Sequence, residues 1–192
     1  RAAQSLNNLK QLGLAISNVH DANELPAQGA DDTAKPRVRQ WFPETLLWRP
    51  ELITDDQGRA SLEIDLADSI TTWRVLASAV SVKGQLGSEE AAIWVFQPFF
   101  VDLDLPVALR RGDEVTVPVA VYNYLDRPQK VTLELADADW FDRLDDAKKT
   151  VDLAPGEVGS AGFRIAAKKV GKFDFEITAR GEGASDAVRR LV

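Results

Sequence analysis

The sequence has 192 residues, of which 45% are hydrophobic and 28% charged, a balance typical of a globular protein with at least one substantial core. Its formal net charge of −7 argues against a nucleic-acid partner, because phosphate binding requires clusters of Lys and Arg. The absence of cysteine excludes disulfides, thiolate zinc sites and cysteine nucleophiles.

Near the start of the chain, residues 4–22 are the only stretch that predicts a helix. Gly13 weakens this helix by about 1 kcal/mol. A lone helix of this kind is marginal in water, so we expect it either to dock on another surface or to fray. Its apolar stripe, with spacings of three and four, consists of Leu6, Leu9, Leu12, Ile16 and Val19.

The next stretch, residues 23–40, is predicted to be a linker. Its sequence, NELPAQGADDTAKPRVRQ, contains two prolines, a glycine and a run of charges without periodicity. We therefore assign residues 1–37 to a helix followed by a flexible linker.

From Trp41 onward the pattern changes to β-strands. Alternating apolar residues are clearest in EVTVPVAV (114–121) and in KFDFEIT (172–178), where one face is apolar. Turn sequences such as RRGD (110–113) and APGE (154–157) separate the strands. The predicted strands are 45–54, 60–66, 72–81, 91–96, 99–105, 114–124, 130–136, 149–153, 158–165, 171–180 and 187–192.

These strands divide unequally between two regions. Residues 98–192 carry seven, in a number and spacing typical of an immunoglobulin-like or fibronectin-like sandwich. Residues 38–97 carry about four, which are too few to close a second sandwich and would leave exposed edges available for self-association. We predict a mainly β chain with one complete and one partial sandwich, preceded by a single α-helix.

Four segments resemble the α2-macroglobulin and complement family. They are WFPETLLW (41–48), DSITTWRVLASAVS (68–81), FQPFFVDLDLP (96–106) and RRGDEVTVPVAVYNYL (110–125). Their order and spacing match the region that follows the bait segment in these proteins, and the resemblance extends over residues 38 to about 180. One departure is Leu46, where relatives usually have tryptophan.

The resemblance implies that residues 38–97 are the returning half of an interrupted sixth macroglobulin domain and that 98–192 are the complete seventh. Neighbouring macroglobulin domains of the same chain are then its partners. Many relatives capture proteases covalently through a thioester that requires a cysteine in a later domain. This sequence has no cysteine and therefore contains no thioester residue. The resemblance also implies re-entry into a packed β domain at Trp41, Phe42, Pro43 and Trp48.

The helical segment 7–27 resembles a different group, the bacterial prepilin-like proteins of the type II secretion class. It is similar to the second half of their N-terminal helix. No apolar run in the sequence approaches the roughly 18 residues that span a bilayer, so we expect no membrane contact by these residues. The sequence also lacks methionine, and we expect it to be a processed piece of a longer protein.

Three features invite a chemical interpretation, and each has a plainer structural one. His20, the single histidine, has no recognisable serine partner, so a helix-face or capping role is expected. The tripeptide Arg111-Gly112-Asp113 is typical of a turn rather than an integrin ligand. Five aspartates within 137–146 lack the glycine and final acid of a calcium loop, which favours a solvated loop. We predict no catalytic residue, metal or cofactor.

The linker is the stretch with candidate functional residues. Lys35, Arg37 and Arg39 suit trypsin-like enzymes, and the resemblance implies a bait that is exposed, flexible and cut by many proteases. An ordinary interdomain linker is also cut easily, so both interpretations stay open.

Two functional hypotheses follow. The leading one is a non-catalytic scaffold fragment of a bacterial α2-macroglobulin-like protein whose parent inhibits proteases by trapping them. The alternative is a cell-envelope structural or adhesive module in which the pilin-like helix drives assembly. An enzyme is not expected, because no catalytic constellation is recognisable. The family resemblance implies an extracytoplasmic parent, in the periplasm, the cell envelope or the medium.

Overall fold

The structure is a computed structural model and describes residues 36–192. The predicted helix 4–22, His20 and Lys35 lie outside the described residues. Within the described range all regular structure is β, which confirms the mainly β class. This range divides into two compact units, which we name the hairpin unit (41–96) and the sandwich unit (97–192 together with 36–40).

Eleven strands form within residues 36–192. They are β1 (Val38–Arg39), β2 (Thr72–Val80), β3 (Leu86–Trp94), β4 (Phe99–Leu103), β5 (Glu114–Asn123), β6 (Gln129–Leu135), β7 (Phe141–Arg143), β8 (Lys148–Leu153), β9 (Glu157–Ala167), β10 (Asp174–Gly181) and β11 (Ala184–Leu191).

The sandwich unit consists of two sheets. One has the strand order β1-β11-β10-β6-β8 and the other has the order β4-β5-β9-β7. Each pair of neighbouring strands is antiparallel except β1 and β11, which are parallel. Residues 97–192 thus supply strands β4 to β11 of the two sheets, and β1 from residues 36–40 is added at the edge of the first sheet.

The core lies between the inner faces of the two sheets. Alternation places Val117, Val119 and Val121 of β5 on the inner face, where all three are fully buried, as predicted. Phe175 and Ile177 of β10 face them from the opposite sheet and are equally buried. Burial of these apolar side chains is the main stabilising term of the sandwich.

The predicted turns at 110–113 and 154–157 are confirmed. Gly112 has a φ of 92°, a backbone conformation that residues with a Cβ rarely adopt. The Asp113 carboxylate accepts a hydrogen bond from the Arg110 N–H at 2.8 Å, and the Gly112 N–H donates to the carbonyl of Ala167 at 2.7 Å. The Arg-Gly-Asp tripeptide is thus part of a tight turn between β4 and β5.

The hairpin unit contains β2 and β3, which pair antiparallel from Thr72–Trp94 to Val80–Leu86. The predicted strands 45–54 and 60–66 are wrong, because these residues form no ladder in the structure. A strand needs a neighbour for its backbone hydrogen bonds, and here the described residues supply none. The backbones of Trp41 and Asp68 instead meet, with the Asp68 N–H donating to the Trp41 carbonyl at 2.9 Å.

The aromatic re-entry segment is less packed than the resemblance implies. Trp48 is 81% exposed, and Ile53 further along is 93% exposed. At the start of the segment, the Trp41 N–H donates to the Asp68 carboxylate at 2.9 Å. The expectation that Trp48 packs into a β domain is therefore not met by the described residues.

Candidate functional site

The linker ends in a short strand on the sandwich. Val38 and Arg39 form β1, which pairs with Ala187 and Val188 of β11. The family resemblance implies that residues 38–40 belong to the returning half of the sixth domain, whereas the structure places them in the sandwich unit. The open edge of β11 offers backbone partners, and we name residues 38–40 on this edge the linker anchor.

A buried ion pair holds the anchor in place. The Arg39 Nε donates to Asp186 Oδ1 and Oδ2 at 3.1 and 3.2 Å, and its Nη2 donates to Oδ2 at 2.8 Å. Arg39 is 6% exposed and Asp186 is 2% exposed. The planar guanidinium matches the carboxylate through two nitrogens, an arrangement that a lysine ammonium cannot reproduce.

The same ion pair contacts the second sheet. The Val101 N–H of β4 donates to Asp186 Oδ2 at 2.9 Å, and the Val101 carbonyl accepts a hydrogen bond from Arg39 Nη2. β4 lies at the edge of its sheet, so these are backbone groups that no neighbouring strand pairs. The Arg39 guanidinium carbon also lies 5.9 Å from the centre of the Phe100 ring. Arg39 and Asp186 therefore tie together the linker, β11 and β4.

A second contact follows at the next residue. Arg189 of β11 donates to the Gln40 side-chain carbonyl at 3.2 Å and to Glu176 on β10 at 2.9 and 2.7 Å. The hydrogen bond with Glu176 raises the pKa of Arg189. Gln40 itself is exposed, so this contact is weaker than the buried pair at Arg39.

The three candidate cleavage residues have different environments. Lys35 lies outside the described residues, and Arg37 is exposed. Arg39 does not lie in an exposed linker, as a cleavage residue of a bait would. Its backbone lies in β1 and its side chain is buried against Asp186. Cleavage after Arg39 would first require the ion pair to open.

Asp186, the partner that decides the position of Arg39, is not among the residues that the sequence predicts to be functional. The last predicted strand begins at residue 187, whereas β11 begins at Ala184. The available signal was an aspartate directly before the apolar pair Ala187-Val188, at a position that strand alternation can turn inward. Its partner lies 147 residues away in the sequence, so no local pattern identifies the pair.

The aspartates of 137–146 form ion pairs rather than a ligand cluster. Those with a basic partner are Asp137 with Arg143 at 2.6 Å, Asp139 with Lys169, Asp142 with Lys168 at 2.7 Å, and Asp145 with Lys149 at 2.5 Å. Across residues 36–192 no three His, Cys, Asp or Glu side chains come together in a way that could hold a metal ion. In the same range, no helix has the length and apolarity to cross a membrane.

The Asp139–Lys169 ion pair leads to a testable prediction about the pKa of Asp139. The hydrogen bond from Lys169, followed by its charge, lowers the pKa of Asp139. Because the folded pKa is the lower one, the pair's contribution to stability is present above the unfolded pKa and is lost as the pH falls through the folded pKa. We expect Lys169→Met to raise the pKa of Asp139 toward its ordinary value, as measured by NMR titration of the carboxyl carbon. Lys149→Met is the control and should leave Asp139 unchanged; an unchanged Asp139 in Lys169→Met would contradict the assignment.

The two packed sheets define the class of this protein. It is a β-sandwich module that carries a linker strand on one edge and, among residues 36–192, shows no clustered metal ligands. Residues 45–135 match the model of the alpha-2-macroglobulin family. This match confirms the resemblance to the family that is seen in the sequence. The prepilin-like segment 7–27 lies outside the described residues.

Individual relatives agree with this assignment. Ovostatin from Gallus gallus is 37% identical over 102 residues, which are 53% of this chain and 7% of ovostatin. The crystal structure of trypsin-activated alpha-2-macroglobulin from Escherichia coli matches 72% of this chain with a TM-score of 0.60 and 25% identity. The Escherichia coli protein activated by porcine elastase matches 88% with a TM-score of 0.57 and 20% identity, which shows the fold alone. The chain covers 10% and 16% of these two structures.

Proposed function

We propose that this chain is a non-catalytic scaffold segment of a bacterial α2-macroglobulin-like protein and that the parent protein traps proteases. The observation that carries the proposal is the match to trypsin-activated alpha-2-macroglobulin from Escherichia coli, with a TM-score of 0.60 over 72% of this chain. The family match over residues 45–135 supports it independently of the structural comparison. An extracytoplasmic location of the parent is part of the same proposal.

The hairpin unit is then the returning half of an interrupted macroglobulin domain, and residues 98–192 are the complete domain that follows. Exposed apolar side chains in the hairpin unit support this interpretation. Trp48 and Ile53 are joined by Leu86 and Trp94 of β3, which are also exposed. Soluble proteins rarely leave so much apolar surface uncovered, so this surface fits contact with other domains of the parent.

The linker is proposed to contain the bait. Arg37 is exposed directly before the anchor, and an exposed segment is the preferred substrate of a protease. The chain has no cysteine, so any covalent capture through a thioester would come from another part of the parent. This chain would supply scaffold and cleavable linker, and no chemistry of its own.

The test uses the full-length parent incubated with several unrelated proteases. We expect the bound protease to lose activity on a large protein substrate and to keep it on a small peptide, because an enclosed active site excludes only large molecules. The same proteases incubated with an unrelated β-sandwich protein are the control. Equal activity on both substrates would overturn the trap and favour the alternative, a structural or adhesive module of the cell envelope.

A further inference from the structure

We propose that the Arg39–Asp186 ion pair ends the protease-susceptible part of the linker at Arg37 and keeps the residues that follow a cut docked on the sandwich. The inference rests on the proposed bait function of the linker only for its biological meaning. The protection itself depends on contacts within the described residues. It assigns to Asp186 a role in deciding which arginine a protease can use.

The buried side chain of Arg39 removes it from a protease. Val38 and Arg39 both pair with β11, so a cut after Arg37 or after Arg39 requires the ladder to open, and the ladder does not separate the two sites. The Arg39 side chain is 6% exposed and bound to the Asp186 carboxylate, so it cannot enter a pocket that selects arginine. Arg37, two residues earlier, is exposed and precedes the ladder.

The linker anchor also stays docked on the sandwich after cleavage of the Arg37–Val38 bond. The contacts that hold it come from Val38, Arg39 and Gln40, and their partners lie on β4 and β11. None of these contacts depends on the peptide bond between Arg37 and Val38. A chain cut at that bond keeps the strand and the ion pair, so the new N-terminal segment stays at the edge of the sandwich.

The test is limited trypsin digestion of the full chain, with each cleaved bond quantified over time by mass spectrometry. We expect wild type to be cut after Arg37 and not after Arg39, so the product begins at Val38. In Asp186→Asn we expect cleavage of the Arg39–Gln40 bond to accelerate by about 100-fold, because proteolysis follows the population of the opened anchor. Glu134→Gln, which removes the exposed ion pair with Lys148 between β6 and β8, is the control and should leave the Arg39–Gln40 rate unchanged.

Global unfolding of Asp186→Asn would also expose Arg39. Cleavage of a peptide bond in the core of the sandwich measures how often this global unfolding occurs. Arg164 precedes the fully buried Ile165 in β9, so the bond between them is cut only when the sandwich unfolds. If both bonds accelerate together, Arg39→Lys decides, since trypsin also cuts after lysine and this variant leaves no buried carboxylate without a cation. Faster cleavage after position 39 of this variant, with the Arg164–Ile165 bond still protected, supports the inference. Cleavage of wild type after Arg39 as fast as after Arg37 overturns the inference. A bond after position 39 that is as protected in both variants as it is in wild type also overturns it.

These outcomes are separate from those of the trap assay. A parent that fails to enclose proteases, with Arg39 still protected, would overturn the proposed function and leave the anchor intact. A parent that traps proteases, with Arg39 cut freely, would overturn the anchor and leave the proposed function intact.

Discussion

Asp186→Asn is expected to lower the free energy of unfolding of the sandwich unit by about 3–5 kcal/mol, since it removes one partner of a buried ion pair. In the variant the Arg39 guanidinium would be 6% exposed without a counter-charge from Asp186. The Val101 N–H would also lose the carboxylate that accepts its hydrogen bond. Urea unfolding followed by NMR of fluorinated tryptophan measures the effect, because Trp140 is the one tryptophan within 97–192.

Glu176→Gln supplies the control for this experiment. The Glu176–Arg189 pair has a similar distance, 2.7 Å, but its side chains are 25% and 35% exposed. Water screens such a pair, so we expect a loss of about 0–1 kcal/mol. Equal losses in the two variants would show that burial of Asp186 does not determine the effect and would contradict the assignment.

The double variant Arg39→Met/Asp186→Leu separates stability from position. Replacement of both charges by apolar side chains is expected to cost less than either single removal, because no unpaired charge remains. If stability recovers while residues 38–40 leave β11, the ion pair serves mainly to specify where the linker docks. Hydrogen exchange of the β11 amides would report that release.

The sandwich itself could be predicted from the sequence because its signals are local. Alternation in EVTVPVAV fixed the inward face of β5, and glycines at 112 and 156 marked two turns that the structure confirms. Phe175 and Ile177 were predicted on one face of a strand, and both are fully buried. In each case a few neighbouring residues carry the whole signal.

The hairpin unit and the anchor could not be predicted in this way, because their structure depends on partners far along the chain. The β-type residues of 45–54 and 60–66 have no strand beside them in the described structure, so composition alone misled the prediction. β1 has two residues, too few for any periodicity, and it forms because β11 and Asp186 are present. Tertiary contacts of this kind leave no signal in a sequence window.

Phe175→Ala is expected to cost about 3–5 kcal/mol of the free energy of unfolding of the sandwich unit, since it removes a fully buried ring from between the sheets. Phe175 lies on β10, and its ring centre is 5.9 Å from that of Phe141 on β7 in the opposite sheet. The Trp140 ring is 6.4 Å away in an edge-on arrangement. Truncation therefore leaves a cavity that rigid backbones on both sides cannot close, and the Trp140 fluorine resonance should also shift in the folded state.

The matched control is the same chemical change at Phe100 on the outer face of β4. This ring stacks on Tyr122 with centres 4.3 Å apart but is partly exposed, so its loss should cost about 1 kcal/mol. Urea unfolding of the two variants under identical conditions gives the comparison. A Phe175→Ala loss no greater than that of Phe100→Ala would show that the sheets collapse around the vacated space. It would also mean that the core between β10 and β7 is not the rigid contact that its geometry indicates.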